Sequence, residues 1–406
     1  MKTALFTSAR RCFSAKVIPP MKKAVIVSTS NDIFTNLALE NWFYKHHNFE
    51  DNHMLMLWVN EPCVVIGRHQ NPWCEANVSK LQDLGIQLAR RNSGGGTVYH
   101  DSGNLNLTFF TPFDHYNRKT NLEIISAAIY KRFGLDVEIN SREDLTLRNY
   151  KISGTASKLA RTCAYHHCTL LVNANVDHLR KSLKPSDWEI KTKATKSVKS
   201  KIINLSEENP DVNVEELLKT VGIRYLNHNN AALLKADTVH KMSNVNSEFS
   251  IANPSYVSNE INFDSGKFHL VTPNEQNFPG LEEMRSEFAD WPWIYERTPE
   301  FTVTKNFKIE AKLKPESTHS PGIVFTQSRT YVFQVNVKVE KGRVSEINIQ
   351  VPNNYSGMDL NEKLDTLKDA RGVKYSDYLL DFIERIFRED DTDDIEMEKQ
   401  TAFKRS

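Results

Sequence analysis

The sequence predicts an α+β fold with mixed β-sheets, followed by a second, smaller α+β unit. Two observations carry this. Short strand-like runs and helical stretches are interleaved irregularly, without the regular strand–helix alternation that a doubly wound parallel sheet needs. After Trp291-Pro292-Trp293 the pattern changes to longer strands and then helices. At roughly 150 residues per domain, a chain of 406 residues has room for about two or three domains.

In chain order, Lys23–Ser28 (KAVIVS) is an apolar, β-branched run that reads as the first strand. Asn31 or Asp32 can cap a helix from Ile33 to His47, with Phe34, Leu37, Ala38 and Trp42 on one face. Met54–Val59 and Cys63–Gly67, separated by Asn60-Glu61-Pro62, read as a hairpin of buried strands. A short helix over Val78–Leu84 precedes a strand over Ile86–Arg91 that runs into Ser93-Gly94-Gly95-Gly96. Leu105–Phe110 alternates as a strand, Asn121–Phe133 is helical, Tyr165–Val172 is a strand, and Val176–Leu183 is helical. Lys191–Lys201 has five lysines and no acid, so it reads as a mobile loop. Asn227 to Pro279 is polar and turn-rich and reads as an insertion. In the second unit, Phe301–Val303, Phe307–Leu313, Thr330–Val339 and Val344–Val351 are strand-like, with a turn at Glu340-Lys341-Gly342-Arg343. Helices over Leu360–Leu367 and Ser376–Phe387 complete it. Glu389–Glu398 holds seven acids in ten residues and reads as a solvated tail.

Composition excludes several classes. Apolar residues make up 39% and charged residues 25%, the balance of a globular chain rather than a disordered or collagen-like one. Lys+Arg 52 against Asp+Glu 51 provides no global field for nucleic acid or an anionic membrane. No apolar run approaches the ~18 residues of a membrane span. The five cysteines form no CxxC pair, which fits a reducing compartment better than a disulfide framework or a structural zinc site. Met1 to Pro20 carries Lys2, Arg10, Arg11 and Lys16, several hydroxyls and no acid, the composition of a mitochondrial transit peptide. No heptads are evident, so a monomer is the default expectation.

Three segments stand out chemically. Arg90-Arg91-Asn92-Ser93-Gly94-Gly95-Gly96-Thr97-Val98-Tyr99-His100-Asp101 sets three glycines beside two arginines. Successive backbone N–H groups there can form an anion-binding concavity, and arginine suits phosphate or carboxylate. The spacing is neither a Walker A loop nor GxGxxG. Lys151-Ile152-Ser153-Gly154-Thr155-Ala156-Ser157-Lys158 opens on a lysine able to supply a point charge to a leaving phosphate. In Tyr165-His166-His167-Cys168-Thr169-Leu170-Leu171 the adjacent histidines face opposite sides of a strand, so they cannot bind one metal together. Cys168 reads as a buried, inert thiol rather than a nucleophile.

Arg90–Phe110 and Lys151–Leu171 together resemble the lipoate–protein ligase and lipoyltransferase family, and Gly67–Trp73 (GRHQNPW) and Trp291–Phe301 (WPWIYERTPEF) follow in the family's order. With the transit-like N-terminus and the Cys of Tyr-His-His-Cys, the match resembles the mitochondrial lipoyltransferase branch. The resemblance implies a biotin/lipoate–protein ligase catalytic domain over residues 21–298, with a polar insertion near 227–279. It implies a small accessory domain with an acidic tail over 299–406, behind a transit peptide at 1–20. It implies lipoyl transfer from lipoyl-AMP, or from lipoylated glycine-cleavage H protein, to lysines of lipoyl domains in E2 subunits of 2-oxoacid dehydrogenases in the mitochondrial matrix. No metal is implied, and ATP and Mg enter under the alternative of a full lipoate–protein ligase. An alternative of another class is a non-catalytic lipoyl-domain-binding module.

By position, the resemblance makes Lys151 the catalytic lysine, in contact with the acyl carbonyl and the phosphate. It places Arg91, Gly94, Gly95, Gly96, Thr97, Val98 and Tyr99 around the acyl-adenylate and Arg142 near the nucleotide. Thr169 lines the ligand, and Thr195 and Ser197 close over the adenylate as part of a cationic lid. Bacterial ligases of the family have Asn-Asp-Leu where this chain has Glu143-Asp144-Leu145, a departure that borders the nucleotide.

Overall fold

The computed structural model describes residues 21–50, 52–183, 188–228, 251–252, 255–257, 260–312, 328–353, 355, 365, 367 and 370–388. The expected transit segment and acidic tail, residues 229–250 of the expected insertion, and most of the expected helix at 360–367 lie outside them. Among the described residues no helix is long and apolar enough to cross a membrane.

The chain begins with β1 (Lys22–Ser28), α1 (Ile33–His46), β2 (Asn52–Trp58), β3 (Cys63–Ile66), α2 (Pro72–Glu75), α3 (Val78–Asp83), β4 (Gln87–Arg90), β5 (Val98–His100) and β6 (Asn104–Pro112). Next come α4 (Arg118–Phe133), β7 (Glu138–Ile139), β8 (Leu145–Leu147), β9 (Tyr150–Lys151), β10 (Thr155–Leu159), β11 (Cys163–Leu171), α5 (Val176–Ser182) and β12 (Glu189–Thr192). Then follow α6 (Leu205–Glu208), α7 (Val214–Asn227), β13 (Ile251–Ala252), β14 (Ser255–Val257), β15 (Glu260–Asn262), β16 (Phe268–Val271) and α8 (Leu281–Ala289). A π-helical turn at Pro292–Glu296 leads into β17 (Phe301–Lys312), β18 (Ser328–Glu340), β19 (Arg343–Gln350) and α9 (Asp377–Arg388).

A seven-stranded mixed sheet in the order β10-β11-β6-β2-β1-β16-β13 forms the centre. Its strands alternate in side-chain direction, as a period of two requires. Leu55, Leu57, Leu105, Leu107 and Phe109 join α4 and α7 in one apolar cluster. Met54, Met56, Trp58 and Phe110 join α1 and the smaller sheet β4-β3-β5 in another. The second face also carries Asn106 and Thr108, both buried, so alternation places polar side chains in the space between the two sheets. Asp32 caps α1, its carboxylate accepting from Thr35 N at 2.9 Å. This helix is buried on more than one face: Asn36, Glu40 and Asn41 are as hidden as Phe34 and Leu37.

Four sequence expectations are corrected. β2 and β3 do not form a hairpin, because β2 pairs with β1 and β6 while β3 pairs with β4 and β5. The basic stretch is not wholly loop: Glu189–Thr192 is a strand on the edge of the C-terminal sheet, whose order is β12-β17-β18-β19. The polar insertion contributes β16 to the central sheet, in parallel with β1, and buries Phe268 and Phe278. Phe301–Lys312 is moreover one continuous strand where the sequence suggested two.

The two units share one apolar cluster. Trp73 lies 5.3 Å from Phe301 and 5.0 Å from Tyr375, ring centre to ring centre. Helix α9 covers the C-terminal sheet through Phe387, whose ring lies tilted against Phe307 and Phe333 at 5.8 and 5.3 Å between centres.

Two core imidazoles make stability sensitive to acid. Burial, with Arg91 and His167 nearby, pulls His100 to about 3. Burial, with His167 and Arg118, pulls His166 well below its ordinary value. Both folded values lie below the unfolded one, so the unfolded chain binds more protons below pH 6.5. Stability is then lost as pH falls through that window. Each such group adds a slope of up to about 1.4 kcal/mol per pH unit below the unfolded value. Urea midpoints should fall clearly from pH 7.5 to 5.5, and equal midpoints would contradict the assignment.

Candidate active site

Strand β4 ends in two buried arginines whose side chains do different work. Arg90 donates to the carbonyls of Gly67, Arg68 and Gln70 at 2.8–3.2 Å, and to Ile294 O at 2.8 Å and Thr298 Oγ1 at 2.9 Å. It therefore ties the 67–70 turn to the entry of the C-terminal unit. Arg91 donates to Val65 O at 3.1 Å, Ser93 Oγ at 3.0 Å, Gly94 O at 2.6 Å and Gly96 O at 2.7 Å. Burial pulls these guanidinium groups to about 9 and about 10, so both stay cationic at neutral pH. Arg91 thus holds the glycine loop by its carbonyls.

Two glycines are required here by geometry. Gly95 has φ +86°, in the left-handed region, and a Cβ on Gly67 would stand 2.3 Å from the carbonyl oxygen of Gly95. The turn at 67–70 and the glycine loop are thus in backbone contact.

Lys151 is placed by a tight hairpin. Arg148 and Asn149 have φ of 50° and 65° and connect β8 to β9 as a two-residue turn with positive φ at both central positions. Ahead of it, Asn140 Oδ1 accepts from the N–H groups of Arg142 and Asp144 at 2.9 and 3.0 Å, and Glu143 is left-handed at φ 58°. This turn brings Asp144 Oδ1 to 2.9 Å from Lys151 Nζ. Glu143 pairs with Arg118. The backbone of Lys151 is fixed from the other side, its N–H donating to Lys201 O at 2.8 Å.

These elements surround a cavity of about 220 Å³. Of the residues singled out in the sequence, it gathers Arg91, Gly95, Gly96, Thr97, Val98, Arg142, Lys151, Thr169 and Ser197. Gly94, Tyr99 and Thr195 are not on its wall. Tyr99 is buried in the apolar cluster behind the loop, and Thr195 N donates to His69 O at 3.2 Å. Sequence reasoning passed over Arg118, Asp144, Trp58, Asn106, His100 and His167 as lining residues. His100, Asp144 and His167 lie inside the motifs quoted above and were legible there. Trp58 and Arg118 carry no local signal. Cys168 also lines the cavity, but burial pushes its thiol far above the ordinary range, in keeping with an inert role.

Behind the loop, Glu40 Oε1 accepts from Thr108 Oγ1 at 2.8 Å and lies 2.8 Å from His167 Nδ1, while His167 Nε2 is 2.7 Å from Ser93 Oγ. Burial raises the Glu40 carboxyl, but His167 and these hydrogen bonds outweigh it and hold the group below the ordinary range. The arrangement of Ser93, His167 and Glu40 has the contacts of a nucleophile triad. Ser93, however, is 1% exposed, absent from the cavity wall and already bonded to Arg91, so the chain acts to position the loop.

The basic loop is docked over the cavity. Ser197 Oγ accepts from Thr97 N at 2.8 Å and Gln70 Nε2 at 3.0 Å, and Ser197 N donates to Glu75 Oε1 at 3.1 Å. Thr97 Oγ1 in turn donates to Gln70 Oε1 at 2.9 Å. Gln70 and Glu75 thus latch the loop to the glycine turn.

Two outcomes follow. Gly67→Ala should push the glycine loop out of register and lower kcat/KM by about 100-fold, with a smaller effect on the unfolding midpoint. Glu75→Ala should raise the initial rate of tryptic cleavage at Lys193, Lys196 or Lys199 several-fold, and an acyl-adenylate analogue should slow it again. Cleavage indifferent to both changes would remove the latch.

A family model described as the lipoyl protein ligase A/B catalytic domain matches residues 32–223. The mitochondrial lipoyl amidotransferase LIPT1 of Homo sapiens is 36% identical over 345 residues, 84% of this chain and 80% of its own. Its Mus musculus counterpart is 38% identical over 351 residues, 86% of this chain and 81% of its own. The lipoate-protein ligase A of Psychrobacter cryohalolentis is 36% identical over 282 residues, 70% of this chain and 75% of its own. The crystal structure of P. falciparum LipL1 in complex with lipoate shares the fold, with a TM-score of 0.52 at 23% identity, over 94% of this chain and 99% of that one. The chain belongs to the lipoate–protein ligase and lipoyl amidotransferase family, and its catalytic unit has that family's fold.

Proposed function

We propose that this protein transfers a lipoyl group to the acceptor lysine of lipoyl domains in E2 subunits of 2-oxoacid dehydrogenases, in the mitochondrial matrix. The donor is lipoyl-AMP or the lipoylated glycine-cleavage H protein. The observation that carries the reading is Lys151 Nζ held by Asp144 on the wall of a cavity that also presents Thr97, Ser197 and the glycine loop. Residues 21–298 carry the chemistry in this reading, with 299–406 as an accessory unit, 1–20 as an import segment, and the protein acting as a monomer.

With lipoyl-AMP, the acceptor amine attacks the acyl carbon, its C–N bond forms, and the acyl–phosphate C–O bond breaks with the electron pair leaving on AMP. The proton lost by the attacking nitrogen passes to the leaving AMP phosphate. Lys151 supplies fixed positive charge to the developing oxyanion and the leaving phosphate, and Asp144 keeps that ammonium pointed. Arg118 and Arg142 add charge on the same wall. Excluding water matters because the mixed anhydride hydrolyses, which gives the docked Ser197 loop its purpose. Gly94, Tyr99 and Thr195 act from behind the wall, as loop framework and lid anchor.

The ligase reading, in which the protein also forms the adenylate from lipoate and MgATP, is favoured by the lipoate-protein ligase relatives. Retention of Lys151 in its ion pair counts against a non-catalytic binding module.

Intact-mass analysis of an apo lipoyl domain decides among these. A gain of one lipoyl mass with lipoyl-AMP or lipoyl-H protein, and none with lipoate plus MgATP, is the expected result. A gain with lipoate and MgATP would establish the ligase. No gain with any donor would leave the binding module. Lys151→Ala should lower the rate by roughly 100- to 1,000-fold, the effect of one lost transition-state contact.

A further inference from the structure

We propose that the outer side of the basic loop is the docking surface for the acceptor: Lys193, Lys196, Lys199 and Lys201 receive an acidic face of the lipoyl domain and bring its lysine to the rim of the cavity. The proposal rests on the lipoyl-transfer reading above and goes further, to the surface that recognises the partner.

The loop divides its side chains between two tasks. Ser197 faces inward, where its Oγ accepts from Thr97 N and Gln70 Nε2 and its N–H donates to Glu75. Within residues 191–201, Ser197 and Val198 are the ones on the cavity wall. The lysines are not on it, so their charge is not spent on the carbonyl or phosphate of a bound donor. Lys193, Lys196, Lys199 and Lys201 are all exposed. Lys191 pairs with Glu189 at 3.3 Å, whereas among the described residues no carboxylate forms an ion pair with the other four. Surface lysines elsewhere do find one: Lys219, Lys267 and Lys338 each sit beside an acid.

Four like charges in one short stretch repel, and a free loop would spread them into solvent. This loop is pinned instead. Thr192 is paired with Phe301 on the sheet edge, Thr195 N donates to His69 O at 3.2 Å, and Lys201 O accepts from Lys151 N at 2.8 Å. The positive charge is therefore held in place on a chain whose net charge is only +1. Its position selects the partner. Val198 is 58% exposed and also lines the cavity, so it marks a place where the cavity meets solvent. Lys196 and Lys199 stand within two residues of it. A macromolecule docked there has its nearest side chains at the entrance to the site, which is the requirement on an acceptor and on no other acidic partner. Val198 gives an apolar edge to the four-carbon stem of the entering lysine, and the ammonium groups around it match carboxylates beside that lysine.

The test uses Lys193→Gln, Lys196→Gln, Lys199→Gln and Lys201→Gln combined in one chain, an apo lipoyl domain as acceptor and lipoyl-AMP as donor. The variant should lose about 10- to 100-fold in kcat/KM for the domain, almost all of it in KM. Its kcat at saturating domain, and its affinity for a non-hydrolysable lipoyl-adenylate analogue measured by calorimetry, should stay within about twofold of wild type. Raising salt from about 50 to about 300 mM should lower kcat/KM in the wild type and leave the variant nearly flat. Changing the carboxylates next to the domain's acceptor lysine to amides should reproduce the loss with the wild-type protein and add little with the variant. An unchanged KM in the folded variant overturns the proposal. So does a parallel fall in affinity for the analogue, which would assign the lysines to the donor, and so do losses that add in full. Absence of transfer from every donor in the wild type would instead remove the functional reading. Calorimetry of the apo domain against wild type and variant would still judge the surface, and equal binding, or none to either, overturns it.

Discussion

Two guanidinium groups buried side by side, with no carboxylate against either among the described residues, govern the geometry of this site. Taking a charge out of water costs several kcal/mol unless the surroundings replace the lost solvation. Here the replacement is backbone carbonyl. Consecutive residues on a strand point to opposite sides, so Arg90 and Arg91 collect carbonyls from different parts of the chain. Arg90 gathers the 67–70 turn and the entry to the C-terminal unit, and Arg91 gathers β3 and the glycine loop. The same desolvation that makes these cations expensive makes the loop rigid, since any carbonyl that swings away leaves a charge uncompensated. A lysine could not fill either place, because one ammonium cannot meet the five acceptors of Arg90 or the four of Arg91 in a planar fork.

The loop so fixed is the hub of a wider network. Its first residue, Ser93, is held by His167 and Glu40 across to helix α1. Its last, Thr97, is held by Gln70 and by Ser197 of the basic loop. That basic loop in turn has one end in the C-terminal sheet, through β12, and the other against the backbone of Lys151. A substitution at Glu40, Gln70 or Glu75 therefore reaches the cavity wall although none of the three lies on it. Glu40 is 2% exposed, and its carboxylate is kept there by its partners rather than by burial, with Thr108 Oγ1 and His167 Nδ1 each at 2.8 Å.

Much of this was legible in the sequence where the signal is local. The period of two in β6 and β11, the capped helix α1 and the three glycines after β4 all depend on neighbours a few residues away. What was missed depends on distant pairing. Cys63–Ile66 reads as the second arm of a hairpin until β4 and β5 claim it. Lys191 and Thr192 form a strand because β17, over a hundred positions later, offers an edge. The hairpin that places Lys151 has Arg148 and Asn149 at its turn, without the glycine that would have announced it. Glu143, too, adopts a left-handed backbone that no local preference foretells, and its ion pair with Arg118 is visible only in three dimensions.

The site residues divide along the same line. Motifs mark groups on the cavity wall, because their residue types are distinctive: glycine for close backbone approach, lysine for charge, threonine and serine for short polar contacts. The groups that hold those in place, Glu40, Gln70, Glu75 and Asn60, sit on unrelated elements and are chosen for fit to a particular neighbour. Asn60 illustrates the difference. As a residue before Glu61-Pro62 it looks like turn punctuation, yet with Asn36 it sets the tautomer of His100 at the cavity wall. An amide whose two ends differ only in donor and acceptor can carry that information because each end is already spoken for, and the constraint passes from the Ser30 carbonyl, which can only accept, through Asn36 and Asn60 to the imidazole without a charge being moved.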